Sequence, residues 1–212
     1  MESLSDMTAE RELMLTEDQK EALQEIANIG MGQAGSTIAQ VLGEFVQLSI
    51  PRILIVPPDE VPTALAWTIG EATVSTVRQA FHSGMRGEAL VIFGQHRCND
   101  LADLMGYEHD LDHAAEIELL LDVSNILVGA CLGGIAEQLQ LSIGFSAPSL
   151  MADAVPLEQL LQGKPVPWTT ALLVEVNFRL EKRCFACHLV ILMPEEEIRS
   201  LTVAVDRFLE SL

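Results

Sequence analysis

Glu25-Ile26-Ala27-Asn28-Ile29-Gly30-Met31-Gly32 is answered 97 positions later by Asp122-Val123-Ser124-Asn125-Ile126-Leu127-Val128-Gly129. An acidic residue, two small or apolar residues, an asparagine and a glycine four residues further on recur in the same order. Pro51 and Pro148 keep the same interval of 97, so 22 residues separate Asn from Pro in both copies. Further on, Glu88–Phe93 reads against Cys187–Leu192 at an interval of 99. Self-similarity over this distance marks one structural unit used twice.

The unit can be read outward from its asparagine. Thr16 and Gln19 form a capping box, in which the hydroxyl accepts from the backbone at Gln19 and the Gln side chain returns to the cap. The helix it opens carries Leu23, Ile26, Ala27, Gly30, Ala34, Ile38 and Val41 as an apolar stripe to about Leu42. Phe45–Val56 alternates like a strand, with Pro51 at a bend or edge. Beyond the proline-rich turn at 57–62, a short helix is expected at Thr63–Gly70, strands at Glu71–Phe81 and Glu88–Phe93, and a helix at Asn99–Met105. Asp112 then caps a second long helix. A strand at Leu139–Phe145, a helical or looped segment from Pro156, a hairpin at Leu172–Met193 and a helix at Glu195–Leu209 follow.

These elements predict an α/β (α+β) fold of two pseudo-symmetric helix-strand-hairpin-helix repeats, about 16–110 and 111–212, sharing one sheet. Residues 1–15 form a flexible lead-in. The two long helices lie side by side on one face, because Gly30, Gly32, Ala34 and Gly35 in the first and Gly129, Ala130, Gly133 and Gly134 in the second imply close approach. A mid-helix glycine costs about 1 kcal/mol relative to alanine and needs a compensating contact.

Composition narrows the function. Of 212 residues 49% are hydrophobic, ample for a core, and the net charge is −19. Nucleic-acid binding relies on a basic stripe that releases counterions, so a nucleic-acid partner is not expected. No uncharged apolar run reaches the ~18 residues of a membrane span and no signal peptide opens the chain, so no membrane partner and a cytoplasmic protein are expected. Cys184-Phe185-Ala186-Cys187-His188 matches a c-type haem signature, but it falls in a predicted strand, where side chains three apart point to opposite faces. The four cysteines (Cys98, Cys131, Cys184, Cys187) read as free thiols. His109 and His113 stand one turn apart without a convincing metal partner, and Asp112 between them reads as a cap, so no metal or cofactor is expected in this chain.

Glu21, Glu25 and Asn28 step by four and three along the first helix, and Glu118, Asp122 and Asn125 repeat those steps. An asparagine in mid-helix competes for backbone hydrogen bonds, so its recurrence at one place in both copies points to use. Taken with the matched prolines, the pattern over about residues 16–210 resembles the CheC/CheX/FliY phosphatases of bacterial chemotaxis, CheC most closely. The resemblance implies hydrolysis of the aspartyl phosphate on a CheY-like response regulator, with Glu25/Asn28 as one catalytic site and Asp122/Asn125 as the other. It also implies Mg²⁺ in the partner receiver, and CheD as a further partner. Pro51 and Pro148 then mark a bend rather than a catalytic group.

Two departures stand out. Glu21 and Glu118 occupy a position where the family usually has Asp or Ser. Asp122 is one methylene shorter than Glu25, which withdraws its carboxylate by about 1–1.5 Å. A misplacement of that size can cost around a hundredfold in rate, so the Glu25/Asn28 site is expected to be the more active. The alternative reading is a noncatalytic docking module like the middle domain of flagellar switch proteins. The chain has no G-x-S-x-G elbow, H-E-x-x-H helix or phosphate-cradling loop to suggest a small-molecule hydrolase.

Overall fold

A computed structural model describes residues 15–57, 60, 63–64, 69, 73–94, 112–160, 171–180 and 186–210. The expected Asn99–Met105 helix, the lead-in up to residue 14, His109, Cys98 and Cys184 lie outside the described residues. Of the expected Thr63–Gly70 helix, Thr63, Ala64 and Ile69 are described and are helical.

Helix α1 spans Glu17–Leu42. Thr16 Oγ1 accepts from Gln19 N at 3.2 Å and Gln19 Oε1 accepts from Thr16 N at 3.0 Å, the reciprocal bonds of a capping box. The helix ends at Gly43, whose φ of 67° is the left-handed conformation that glycine adopts without strain. Helix α2 spans His113–Gln138, and Asp112 Oδ1 accepts from Ala115 N at 2.9 Å to cap it. A short α3 (Leu157–Leu160) and a C-terminal α4 (Glu195–Glu210) follow. Gln19 Nε2 donates to Asp206 Oδ1 at 2.8 Å, tying the start of α1 to α4.

Eight strands form one antiparallel sheet: β1 (Val46–Leu48), β2 (Arg52–Val56), β3 (Thr73–Ser83), β4 (Gly87–Gly94), β5 (Ile143–Phe145), β6 (Ser149–Pro156), β7 (Ala171–Leu180) and β8 (Ala186–Pro194). Their order is β1-β7-β8-β4-β3-β5, with β2 also on β7 and β6 also on β3. The expected Phe45–Val56 strand is therefore two strands broken at 49–51, and Pro51 is buried at the break. Pro148 breaks β5 from β6 in the same way. Strand β6 was not expected: Ala152-Asp153-Ala154 has little strand character, and Ala154 sits at φ 49°. Ser75 stabilises this irregular stretch, its Oγ donating to Asp153 Oδ1 at 2.9 Å and accepting from Ala154 N at 3.1 Å.

The repeat is explicit in the hydrogen bonds. Ser49 N donates to Asn177 O and Asn177 N to Ser49 Oγ, both at 3.0 Å. Ser146 N donates to Ala80 O at 2.9 Å and Ala80 N to Ser146 Oγ at 3.0 Å. Ser49 and Ser146 are 97 apart, and so are Ala80 and Asn177. Ala80 faces Glu88 across one hairpin and Asn177 faces His188 across the other, so the second hairpin strands correspond at an interval of 100. This corrects the interval of 99 suggested by likeness of sequence. At 99, Ala89, which faces the helices, would match His188, which alternates onto the other face, because a one-residue slip reverses every side chain. Leu90 pairs with Val190, and a two-fold axis normal to the sheet through that pair carries β4 onto β8.

The main core lies between the sheet and the layer of α1, α2 and α4, where Ala89, Val91 and Phe93 meet Cys187, Leu189 and Ile191. A smaller cluster on the far face gathers Val74, Leu90, Ile92, Val190 and Leu192 with Ile69 and with Leu160 of α3. The helix pair packs tightly at one point. A Cβ on Gly30 would stand 2.7 Å from Ile135 N, and one on Gly134 would stand 2.5 Å from Gly30 O. Gly32, Gly129 and Gly133 have nothing within 4 Å of a built Cβ, so only part of the expected glycine set makes the close approach. Val41, assigned to the core stripe by periodicity, is instead 52% exposed. Helix α2 is long and apolar enough to cross a membrane by length and composition, at mean hydropathy 1.9, but 61% of that window is buried within the protein. It reads as a core helix.

Candidate functional site

The packing of α1 decides which side chains face outward. Ala22, Leu23, Ile26, Ala27 and Gly30 are buried, which leaves Glu21, Glu25 and Asn28 as an exposed row one turn apart. On α2, Leu119, Leu120, Val123, Ser124 and Leu127 are buried, and Glu118, Asp122 and Asn125 form the matching exposed row. All four expected site residues are thus on the surface, paired as Glu25/Asn28 and Asp122/Asn125, and each pair sits on its own helix.

The two asparagines differ in their surroundings. Asn28 lines a groove of about 330 Å³ between α1 and the β1 segment, with Met31, Gly35, Phe45, Leu48 and Ile50 among its walls. Phe45 is 61% and Ile50 69% exposed, an apolar rim beside a polar pair. The corresponding residues of the second copy, Ser142 and Ala147, are small. Asn28 makes no side-chain hydrogen bond to another described residue. Asn125 does: its Oδ1 accepts from Gln79 Nε2 at 2.9 Å.

Gln79 reaches up from β3 on the sheet face that the helices cover and is 1% exposed. Its Nε2 also donates to Ser146 O at 2.9 Å. A backbone carbonyl can only accept, which fixes the orientation of the Gln79 amide, and hence makes the atom Asn125 offers it an oxygen. Gln79 Oε1 is left buried without a partner, a deficit worth about 1–3 kcal/mol. The repeat-related residue 97 positions on is Val176, fully buried and unable to make such a bond. Sequence reasoning missed Gln79, although a signal was present: Val77, Gln79 and Phe81 alternate on the buried face, and a lone amide in such a row calls for a partner.

Cys131 and Cys187 are free and fully buried. Burial pushes both thiol pKa values up, and for Cys187 the neighbouring Cys131 adds to the rise, so neither is a ready nucleophile. His113 Nε2 lies 3.3 Å from Asp153 Oδ2 and its Nδ1 3.9 Å from Glu116 Oε2, on the exposed start of α2. Among the described residues no group of three or more His, Cys, Asp or Glu is placed to hold a metal ion.

No protein-family model matches the sequence. Solved structures do share its architecture. FliY from Thermotoga maritima superposes with a TM-score of 0.69 at 17% identity, over 92% of this chain and 99% of that one. The FliM middle domain from Vibrio alginolyticus gives 0.59 at 10% identity, over 86% and 99%. CheX from Borrelia burgdorferi, in a complex with CheY, BeF3 and Mg²⁺, gives 0.51 at 11% identity, over 79% and 96%. The chain has the fold shared by the CheC/CheX/FliY group.

Proposed function

We propose that this protein is a cytoplasmic phosphatase for the aspartyl phosphate of a CheY-like response regulator, with Glu25 and Asn28 as its principal site and Asp122 and Asn125 as the second. The observation that carries this reading is the presentation of Glu25 and Asn28 together on the outer row of α1, with Asn28 opening onto an apolar groove. A partner that seats an apolar side chain between Phe45 and Ile50 would bring its own reacting centre against the asparagine. The fold likeness to a CheX solved with CheY supports a receiver as that partner. CheD is a further partner implied by the resemblance.

The chemistry needs little from this chain. The receiver brings the acyl phosphate, a Mg²⁺ ion and a lysine, so the phosphatase has to hold one water in line with the scissile bond. Asn28 can accept a hydrogen bond from that water through Oδ1 and donate one through Nδ2 to a nearby oxygen, without any ionisation of its own. Water oxygen bonds to phosphorus, the bond from phosphorus to the aspartate oxygen breaks, the receiver's aspartate is regenerated as a carboxylate, and inorganic phosphate carrying the water's oxygen and protons is released. Glu25, one turn away, pairs with the receiver lysine and fixes the register of the helix.

The test is phosphate loss from a panel of phosphorylated receivers with and without the protein. At least one receiver is expected to lose phosphate tenfold faster or more, roughly the scale that correct positioning confers. Binding without acceleration would make the protein a docking module of the flagellar-switch kind. In the same assay, Phe45→Ser with Ile50→Ala, which copies the second repeat, should weaken receiver binding about tenfold, as expected for loss of apolar anchors. An unchanged Kd would remove the groove from the interface.

A further inference from the structure

The two copies have diverged at the residue beneath the asparagine. Gln79 holds Asn125 Oδ1 at 2.9 Å, whereas the repeat-related position 97 residues on is Val176, a buried member of the same core that cannot make such a bond. Asn125 is exposed, and this bond ties its carboxamide oxygen to the buried Gln79. The oxygen so engaged is the atom that would accept from an attacking water. Ser146 O holds Gln79 Nε2 from the other side at 2.9 Å, so the donor has little freedom to release it.

Val176 bears on why the amide is present. It fills the equivalent place with apolar atoms alone, so packing does not require an amide there. Gln79 moreover leaves its Oε1 buried and unpartnered. A side chain kept at that cost, whose two bonds go to Asn125 and to the backbone bend before Pro148, has a task at the second site. From this geometry we infer that Gln79 is a positioning residue that latches Asn125 by its acceptor oxygen, so that the second site is silent until the Gln79–Asn125 bond opens.

This inference rests on the phosphatase reading, and its test separates the two. In an Asn28→Ala parent, where only the second site remains, adding Gln79→Val to copy the first repeat is expected to raise receiver dephosphorylation at least fivefold. Gln79→Met, which keeps the volume, should do the same and guards against misfolding of the valine variant. In the Asn28→Ala/Asn125→Ala background neither change should lift the rate above the receiver's own decay. A fall in rate would make Gln79 an aid to Asn125 and overturn the latch, and an unchanged rate would overturn it too. An activity-independent arm uses proton exchange of the Gln79 side-chain amide by nuclear magnetic resonance. Asn125→Ala should speed that exchange severalfold, and no change would mean the bond is not held in solution. If the unsubstituted protein accelerates no receiver, the phosphatase reading falls, while the exchange measurement still reports on the latch.

Discussion

Replacing Asn28 with alanine should lower the rate at which the protein removes phosphate from a receiver about a hundredfold, and replacing Asn125 should leave it almost unchanged. The first figure is the scale of loss when a reacting group is no longer held in line. The imbalance has two independent sources. Asp122 is a methylene shorter than Glu25, so the second helix docks with a shorter arm. Asn125 also has its oxygen engaged by Gln79, whereas Asn28, beside its groove, makes no such bond among the described residues. Loss of fold would not explain the result, because Asn28 is exposed and alanine is the better helix former, which keeps the stability change within about 0.5 kcal/mol. Thermal unfolding of Asn28→Ala should therefore match the parent while its turnover collapses. If Asn125→Ala slowed turnover more than Asn28→Ala, the assignment of the principal site would be reversed.

Much of this arrangement is legible in the chain itself. The interval of 97 from Glu25 to Asp122 and from Pro51 to Pro148 fixes the repeat, and the caps at Thr16 and Asp112 fix where the helices start. The outward rows follow from helical period, since Leu23, Ile26 and Ala27 on α1 and Leu120, Val123 and Leu127 on α2 fall on the opposite, buried face. Strand register was harder to read. Both faces of β4 and β8 are buried, so Glu88–Phe93 and Cys187–Leu192 carry no alternation to distinguish an interval of 99 from 100. Strand β6 escaped notice because its Ala-Asp-Ala centre is held by Ser75, a residue far away in sequence. The difference between Asn28 and Asn125 depends on Gln79 and Val176, which lie in other elements, so it could emerge only from the tertiary structure. The groove is a similar case, since Phe45 and Ile50 read as ordinary strand residues until the break at 49–51 leaves them exposed.

A large effect on stability is expected at Gly30. A methyl there would meet Ile135 N at 2.7 Å, Gly134 C at 2.8 Å and Gly134 O at 3.2 Å, and all three are backbone atoms that cannot rotate aside. Alanine should gain up to about 1 kcal/mol from helix propensity, but overpacking of this kind costs about 1–3 kcal/mol and more where backbone must move. A net loss of about 2 kcal/mol is expected for Gly30→Ala, which for a chain of this size lowers Tm by about 4–8 °C. Gly133→Ala supplies the contrast: a Cβ there meets nothing within 4 Å, so the propensity gain stands alone and Tm should rise by about 2–4 °C. The consequence reaches the site, because Asn28 lies two residues from the contact. If α1 shifts by about 1 Å to relieve it, the asparagine moves with it, and turnover should fall out of proportion to the lost stability. A Gly30→Ala protein as stable as the parent would mean that the helices do not touch at this point, and the side-by-side arrangement that sets the two outward rows would have to be redrawn.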